Sequence, residues 1–130
     1  ARAMDFEGET GPYIQYACAR INSIFRNYDG KIKQAGVDYS LLSSEIEQKI
    51  IRQLADFPEV VKHCAETCRT SELCRHTLVL AQLFNEFYHS HQILKENDDV
   101  KRARLVLCYC IKTVLETGLE LLAIKAPEEM

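Results

Sequence analysis

Apolar residues recur along this chain at helical spacing, and no stretch alternates with period two long enough to predict a strand. From Pro12 onward, Ile14, Ala17, Ile21, Ile24, Phe25 and Tyr28 gather on one broad face, with Gln15, Asn22 and Arg26 opposite. Gly8 and Gly11 allow a tight turn ahead of this helix, and Pro12 suits its first position because its missing N–H has no intrahelical partner there. Glu7 and Glu9 precede the start, where carboxylates favour the exposed N–H dipoles. Residues 29–43 read as a connection, marked by Asp29-Gly30 and Gly36.

Ser44-Glu45-Ile46-Glu47 is a capping box, followed by a stripe of Ile46, Ile50, Ile51 and Leu54 to about Phe57. Pro58 is expected to stop that helix and open a third, through Val60, Val61, Cys64 and Cys68. A fourth begins at Ser71-Glu72 and is apolar over most of its circumference (Leu73, Leu80, Leu83, Phe84, Phe87), which predicts a central position. Asn97-Asp98-Asp99 breaks the pattern and caps the last helix, whose buried face carries Val100, Leu107, Ile111, Val114, Leu115, Leu121 and Leu122. Gly118 falls within that face, where a missing side chain lets another helix approach. A short tail is expected from Ala123 to Met130. The predicted fold is all-α, one domain over residues 1–130, a bundle of about five helices with the last two antiparallel.

The first helix has a third side. Tyr13, Tyr16 and Arg20 lie within an arc of about 60° at its helical pitch, continued by Ser23 and Asn27. Two phenols and a guanidinium so placed can stack on flat bases and pair with phosphate. Equally, the rings can be core edge and Arg20 a surface ion-pair partner.

Composition narrows the classes. The 130 residues are 47% hydrophobic and 27% charged, ordinary for a globular domain able to bury its own core. No apolar run approaches membrane length, and no apolar leader segment opens the chain. The net charge of −3 argues against a general nucleic-acid coat and against DNA as a partner, though not against a shape-reading RNA module with a local basic patch. Arg20, Arg26, Lys31 and Lys33 form one candidate patch, and Lys95, Lys101, Arg102 and Arg104 a second; solvated helix faces are the alternative.

Of the six cysteines none forms a C-x-x-C pair, and Cys108 and Cys110 diverge by about 200° on a helix. Cys64 and Cys68 stand one turn apart near His63 and Cys74, but buried reduced thiols account for them as well; neither metal nor disulfide is expected. No nucleophile, base and orienting acid stand at mutually identifying spacings, and there is no Gly-rich phosphate loop. His63 and Cys64 are neighbours on a helix and diverge. His89 and His91 flank a core aromatic run and read as structural. No catalytic residue is expected in this chain.

The run Phe6-Glu7-Gly8-Glu9-Thr10-Gly11-Pro12-Tyr13-Ile14-Gln15-Tyr16-Ala17-Cys18-Ala19-Arg20-Ile21 closely resembles the opening of the C-terminal, DALR-type anticodon-binding domain of arginyl-tRNA synthetases. The resemblance continues through Phe57-Pro58-Glu59-Val60-Val61, Leu83-Phe84-Asn85-Glu86-Phe87-Tyr88-His89, Thr117-Gly118-Leu119-Glu120-Leu121-Leu122 and Ala126-Pro127-Glu128-Glu129-Met130, in the same order. Position 18, often His in the family, is Cys here, and position 129, often basic or Asp, is Glu.

The resemblance implies a binding domain that holds the anticodon stem-loop of arginine tRNA while the acceptor end reaches a catalytic domain upstream in the same polypeptide. The opening Ala1-Arg2-Ala3 suits such a fragment. The intact enzyme would be an arginine–tRNA ligase using ATP with Mg and arginine through an arginyl-adenylate; signatures similar to HIGH and KMSKS are absent from these residues, and no cofactor is implied within them. Arginine anticodons share a central cytosine, the economical base to read. By resemblance Tyr13, Tyr16 and Arg20 are the leading RNA-binding candidates, followed by His91, Lys95 and Met130. A cytoplasmic monomer is expected. The alternatives are a helical protein-interaction module, or the anticodon-binding domain of another class I synthetase such as the cysteinyl or methionyl enzyme, against which the GETGPY run and the terminal APEEM argue.

Overall fold

The computed structural model describes residues 10–125. Four α-helices and one 3₁₀ turn make up its regular structure: α1 (Gly11–Arg26), the turn Tyr39–Leu41, α2 (Glu45–Thr67), α3 (Ser71–Ser90) and α4 (Asp98–Lys125). The all-α bundle expected from the sequence is observed. Glu7, Glu9, Gly8 and the terminal Ala126–Met130 motif lie outside the described residues.

The difference in helix number comes from Pro58. It sits inside α2, which runs through without a break. A proline forfeits one intrahelical bond and crowds the preceding turn. Here Pro58 is on the exposed side, where water can reach the released carbonyl, while the inward stripe Ile46, Ile50, Leu54, Phe57, Val61 and Cys64 continues past it at three- and four-residue steps. The continuing apolar face keeps one helix where the local rule predicts two.

The ends of α2 follow local chemistry. Ser44 Oγ accepts from the Glu47 N–H at 3.2 Å, and Glu47 Oε1 accepts from the Ser44 N–H at 3.1 Å, which completes the capping box. At the other end Cys68 takes φ of 58°, the left-handed conformation that usually falls to glycine. Asn97 caps α4 as expected, its Oδ1 accepting from the Val100 N–H at 3.0 Å. α4 continues through Lys125, beyond the expected start of the tail at Ala123.

α3 packs against α1, α2 and α4, so the predicted central helix is central. Its inward residues Leu80, Ala81, Phe84 and Phe87 join Ile14, Ala17 and Ile21 of α1, Ile46 and Ile50 of α2, and Ala103, Leu107, Ile111 and Leu115 of α4 in the main core. A smaller cluster of Cys64, Leu73, Cys74 and Leu122 closes the opposite end. α3 and α4 run antiparallel. Thr77, early in α3, meets Gly118, late in α4, while Arg104, early in α4, lies 6.0 Å from the ring centroid of Phe87, late in α3.

The α3–α4 corner is fastened by a buried ion pair. Glu47 is 1% exposed and its Oε2 accepts from Arg104 Nε at 2.8 Å; Arg104 Nη1 also donates to the Gln92 carbonyl at 2.6 Å. One carboxylate thus caps α2 and anchors α4. Among the described residues no helix is long and apolar enough to cross a membrane.

Candidate nucleic-acid interface

The third stripe of α1 faces the C-terminal half of α3. Tyr16 stands out at 72% exposed, the most exposed large aromatic side chain described. Tyr13 and Arg20, one turn to either side, are half-buried because α3 supports them. Arg20 Nη1 donates to Asn85 Oδ1 at 2.9 Å, and Asn85 Nδ2 donates to the Tyr13 hydroxyl at 2.7 Å. The guanidinium carbon lies 4.8 Å from the centroid of Tyr88, a cation–π seat, and Nη1 approaches His89 Nε2 at 3.4 Å. No carboxylate pairs with Arg20 among the described residues, so its charge is held in place without being neutralised. Among the described residues the ion-pair alternative for Arg20 finds no acid.

Beyond Arg20 the stripe opens into a cleft of about 370 Å³ whose walls include Ser23, Asn27, Tyr88, His91 and Lys95. α1 supplies one wall, and the end of α3 with the loop after it supplies the other. Lys95 is exposed at its edge. His91 contributes its ring, but both nitrogens are engaged: Nδ1 lies 2.7 Å from Ser90 Oγ and Nε2 3.0 Å from Ser44 Oγ, with the ring 5.0 Å from Phe87. It is a structural residue that also lines the cleft. Met130 lies outside the described residues.

The structure thus brings together Tyr13, Tyr16, Arg20, His91 and Lys95 on one side of the bundle. Sequence reasoning passed over Asn85 and Tyr88 as site residues. Their signal was present in Leu83–His89: positions 85, 88 and 89 lie on one flank of a helix, beside the face that carries the core residues Phe84 and Phe87.

The second basic cluster dissolves into ion pairs. Lys101 pairs with Asp98 at 3.5 Å, Arg102 with Asp99 at 3.2 Å, and Arg104 with Glu47 and Glu96. Only Lys95 of that group faces the cleft. An acidic protein can present a usable positive patch this way, by leaving a few cations unpaired at one place.

Four of the six thiols are not poised for chemistry. Burial pushes Cys18 up to about 11, with Glu116 adding to it, and pushes Cys108 up to about 12. Cys74 and Cys110 are raised by the same cause, so all four stay protonated at neutral pH. Among the described residues no group of three or more His, Cys, Asp or Glu side chains gathers in a way that could hold a metal ion.

The chain is 43% identical over 129 residues to arginine–tRNA ligase of Halothermothrix orenii, covering 99% of this chain and 23% of that protein. It is 40% identical over 128 residues to arginine–tRNA ligase of Alkaliphilus metalliredigens, with 98% and 22% covered. The solved Thermus thermophilus arginyl-tRNA synthetase superposes with a TM-score of 0.75 at 33% identity, over 91% of this chain and 21% of that one. The Plasmodium falciparum arginyl-tRNA synthetase gives 0.74 at 26% identity, again over 91% of this chain and 21% of that one. The chain therefore spans less than a quarter of the length of the relatives it matches. Residues 14–130 match the DALR anticodon binding domain, and the chain belongs to that family.

Proposed function

We propose that this chain is the anticodon-binding domain of an arginine–tRNA ligase and that it grips the anticodon stem-loop of arginine tRNA on the α1–α3 face. The observation that carries the reading is the pairing of Tyr16, 72% exposed on a rigid helix, with an un-neutralised Arg20 one turn away. A splayed loop base can stack on Tyr16, and such a stack contributes on the order of 1–3 kcal/mol. Because Tyr16 sits on a helix packed into the core, little of that gain is lost to ordering. Arg20 and Lys95 lie where the adjoining phosphates or base edges would pass. The central cytosine shared by arginine anticodons is the base to be read.

In the intact polypeptide, joining arginine to the tRNA at the expense of ATP belongs to a catalytic domain outside this chain, in the cytoplasm. This domain's share is positioning. It fixes one end of the tRNA so that the far end reaches the reacting groups, which turns recognition into proximity.

The test is binding of this chain to a panel of anticodon stem-loops that differ only in the loop. Preference for arginine loops with the central cytosine is expected. Equal affinity for all loops, or binding only to a protein partner in high salt, would overturn the reading.

A further inference from the structure

Asn85 lies between Arg20 and Tyr13, and elementary chemistry fixes which way its amide faces. A guanidinium offers only donors, so the Asn85 atom 2.9 Å from Arg20 Nη1 must be the carbonyl oxygen. The amide nitrogen therefore faces Tyr13 and donates to the phenol oxygen at 2.7 Å. The phenol, having accepted, keeps its own hydrogen, and among the described residues the Tyr13 hydroxyl has no acceptor for it. On the other side Arg20 Nη1 directs its two hydrogens to Asn85 and towards His89 Nε2, while the ring of Tyr88 holds the guanidinium plane. The hydrogens on Nε and Nη2 have no acceptor among the described residues.

We infer that Asn85 is a positioning residue that sets the polarity of the RNA site. It makes Tyr13 an outward donor and clamps Arg20 without cancelling its charge, so this edge of the site presents donors and accepts only acceptor groups. The inference rests on the RNA-binding reading above. The recognised chemistry is an RNA oxygen or ring nitrogen with a free lone pair, carried by a phosphate or by the edge of a base.

Asn85→Asp tests it, because the substitution changes no heavy-atom shape. A carboxylate accepts from both neighbours: it neutralises Arg20 and draws the Tyr13 hydrogen inwards. Affinity of the chain for an arginine anticodon stem-loop should fall at least tenfold, with a melting temperature equal to or above that of the parent. Tyr13→Phe, which keeps the ring and its packing, should fall severalfold. In the Tyr13→Phe background Asn85→Asp should cost less than it does alone, because the donor it would withdraw is already gone. If the acceptor is phosphate, the dependence of log K on log salt should lose close to one charge in Asn85→Asp. If it is a base edge, the slope should stay and discrimination between loops should narrow.

Tyr16→Ala is measured alongside. Weaker binding by Tyr16→Ala with parental affinity in Asn85→Asp overturns the role of Asn85 and leaves the RNA site standing. Losses from Tyr13→Phe and Asn85→Asp that simply multiply also overturn it, since the two residues would then act independently. Parental affinity in Tyr16→Ala as well removes the site itself from this face.

Discussion

Gly118 of α4 and Thr77 of α3 meet so closely that a Cβ added at 118 would stand 2.6 Å from Thr77 Oγ1 and 3.0 Å from its Cγ2. Thr77 cannot swing away. It is fully buried, β-branched, and its hydroxyl donates to the Leu73 carbonyl at 2.8 Å. The missing side chain at 118 is what lets α3 and α4 close on each other at this end of the bundle.

Gly118→Ala should therefore destabilise despite the better helix propensity of alanine, by about 1–3 kcal/mol, and Gly118→Leu by more. Thermal or urea unfolding measures both. A gain in stability for Gly118→Ala would mean that the helices separate at no cost.

The Glu47–Arg104 pair joins the start of α2 to the start of α4, 57 residues apart in sequence. Removing Arg104 leaves Glu47 buried without a counter-charge, and removing Glu47 leaves Arg104 only the half-exposed Glu96 and the Gln92 carbonyl. Glu47→Ala also dismantles the capping box, so a loss of about 3–5 kcal/mol is expected. Glu45→Ala, in the same turn but exposed, should cost under about 0.5 kcal/mol and serves as the control. Equal effects of the two would show that the ion pair contributes nothing beyond helix-end electrostatics.

How much of this was legible in the sequence depends on how local the cause is. The capping box at Ser44, the cap at Asn97 and the close approach at Gly118 were readable because each is set within one turn or by one missing atom. Pro58 was misread as a helix end because the local rule lacks the information that Phe57, Val61 and Cys64 find partners in α3 and α4. On the site, Tyr13, Tyr16 and Arg20 followed from the pitch of one helix. Asn85, which joins two of them, lies 65 residues from Arg20, and no spacing rule reaches that far. In the second basic cluster the solvated-face alternative was legible for Lys101 and Arg102, whose acids Asp98 and Asp99 stand three residues earlier, whereas the Glu47 partner of Arg104 lies 57 residues away.

His76 gives the domain a defined response to acid. It is buried on α3, its ring centroid 5.9 Å from that of Phe57, and both ring nitrogens lack a hydrogen-bond partner among the described residues. Burial holds its pKa below the usual 6.5; the nearby Gln53 backbone and the charges of Asp56 and Glu72 oppose this but do not overcome it. The unfolded chain therefore binds a proton at this residue at a higher pH than the folded one. Its contribution to stability is complete above about 6.5 and shrinks as pH falls through that value. His76→Leu should flatten the fall of melting temperature between pH 7 and 5 relative to the parent. The same slope in both proteins would assign the acid response to other groups.

Cys68 ends α2 with φ of 58°, a conformation in which its Cβ crowds the following carbonyl. Cys68 is exposed, so its side chain stabilises little by burial. Cys68→Gly should raise stability by up to about 1 kcal/mol, because glycine adopts this conformation without the steric cost. A drop in melting temperature would show that the thiol makes contacts that outweigh the backbone strain.

The stripe on α1 separates binding from folding in a way that one set of variants resolves. Tyr16 projects from the helix and contributes little to the core, so Tyr16→Ala should leave the melting temperature within a degree or two. Its loss of affinity for the arginine anticodon loop should be about tenfold or more, the value of one base stack. Tyr16→Phe keeps the ring and should lose less. Arg20→Ala should weaken binding and reduce its salt dependence if the contact is to phosphate. It should also lower stability modestly, because Asn85 loses the donor facing its carbonyl. Were Tyr16 only the edge of the core, Tyr16→Ala would show the reverse: a lower melting temperature with the affinity of the folded fraction intact. Parental affinity in all three variants would move the RNA site off this helix.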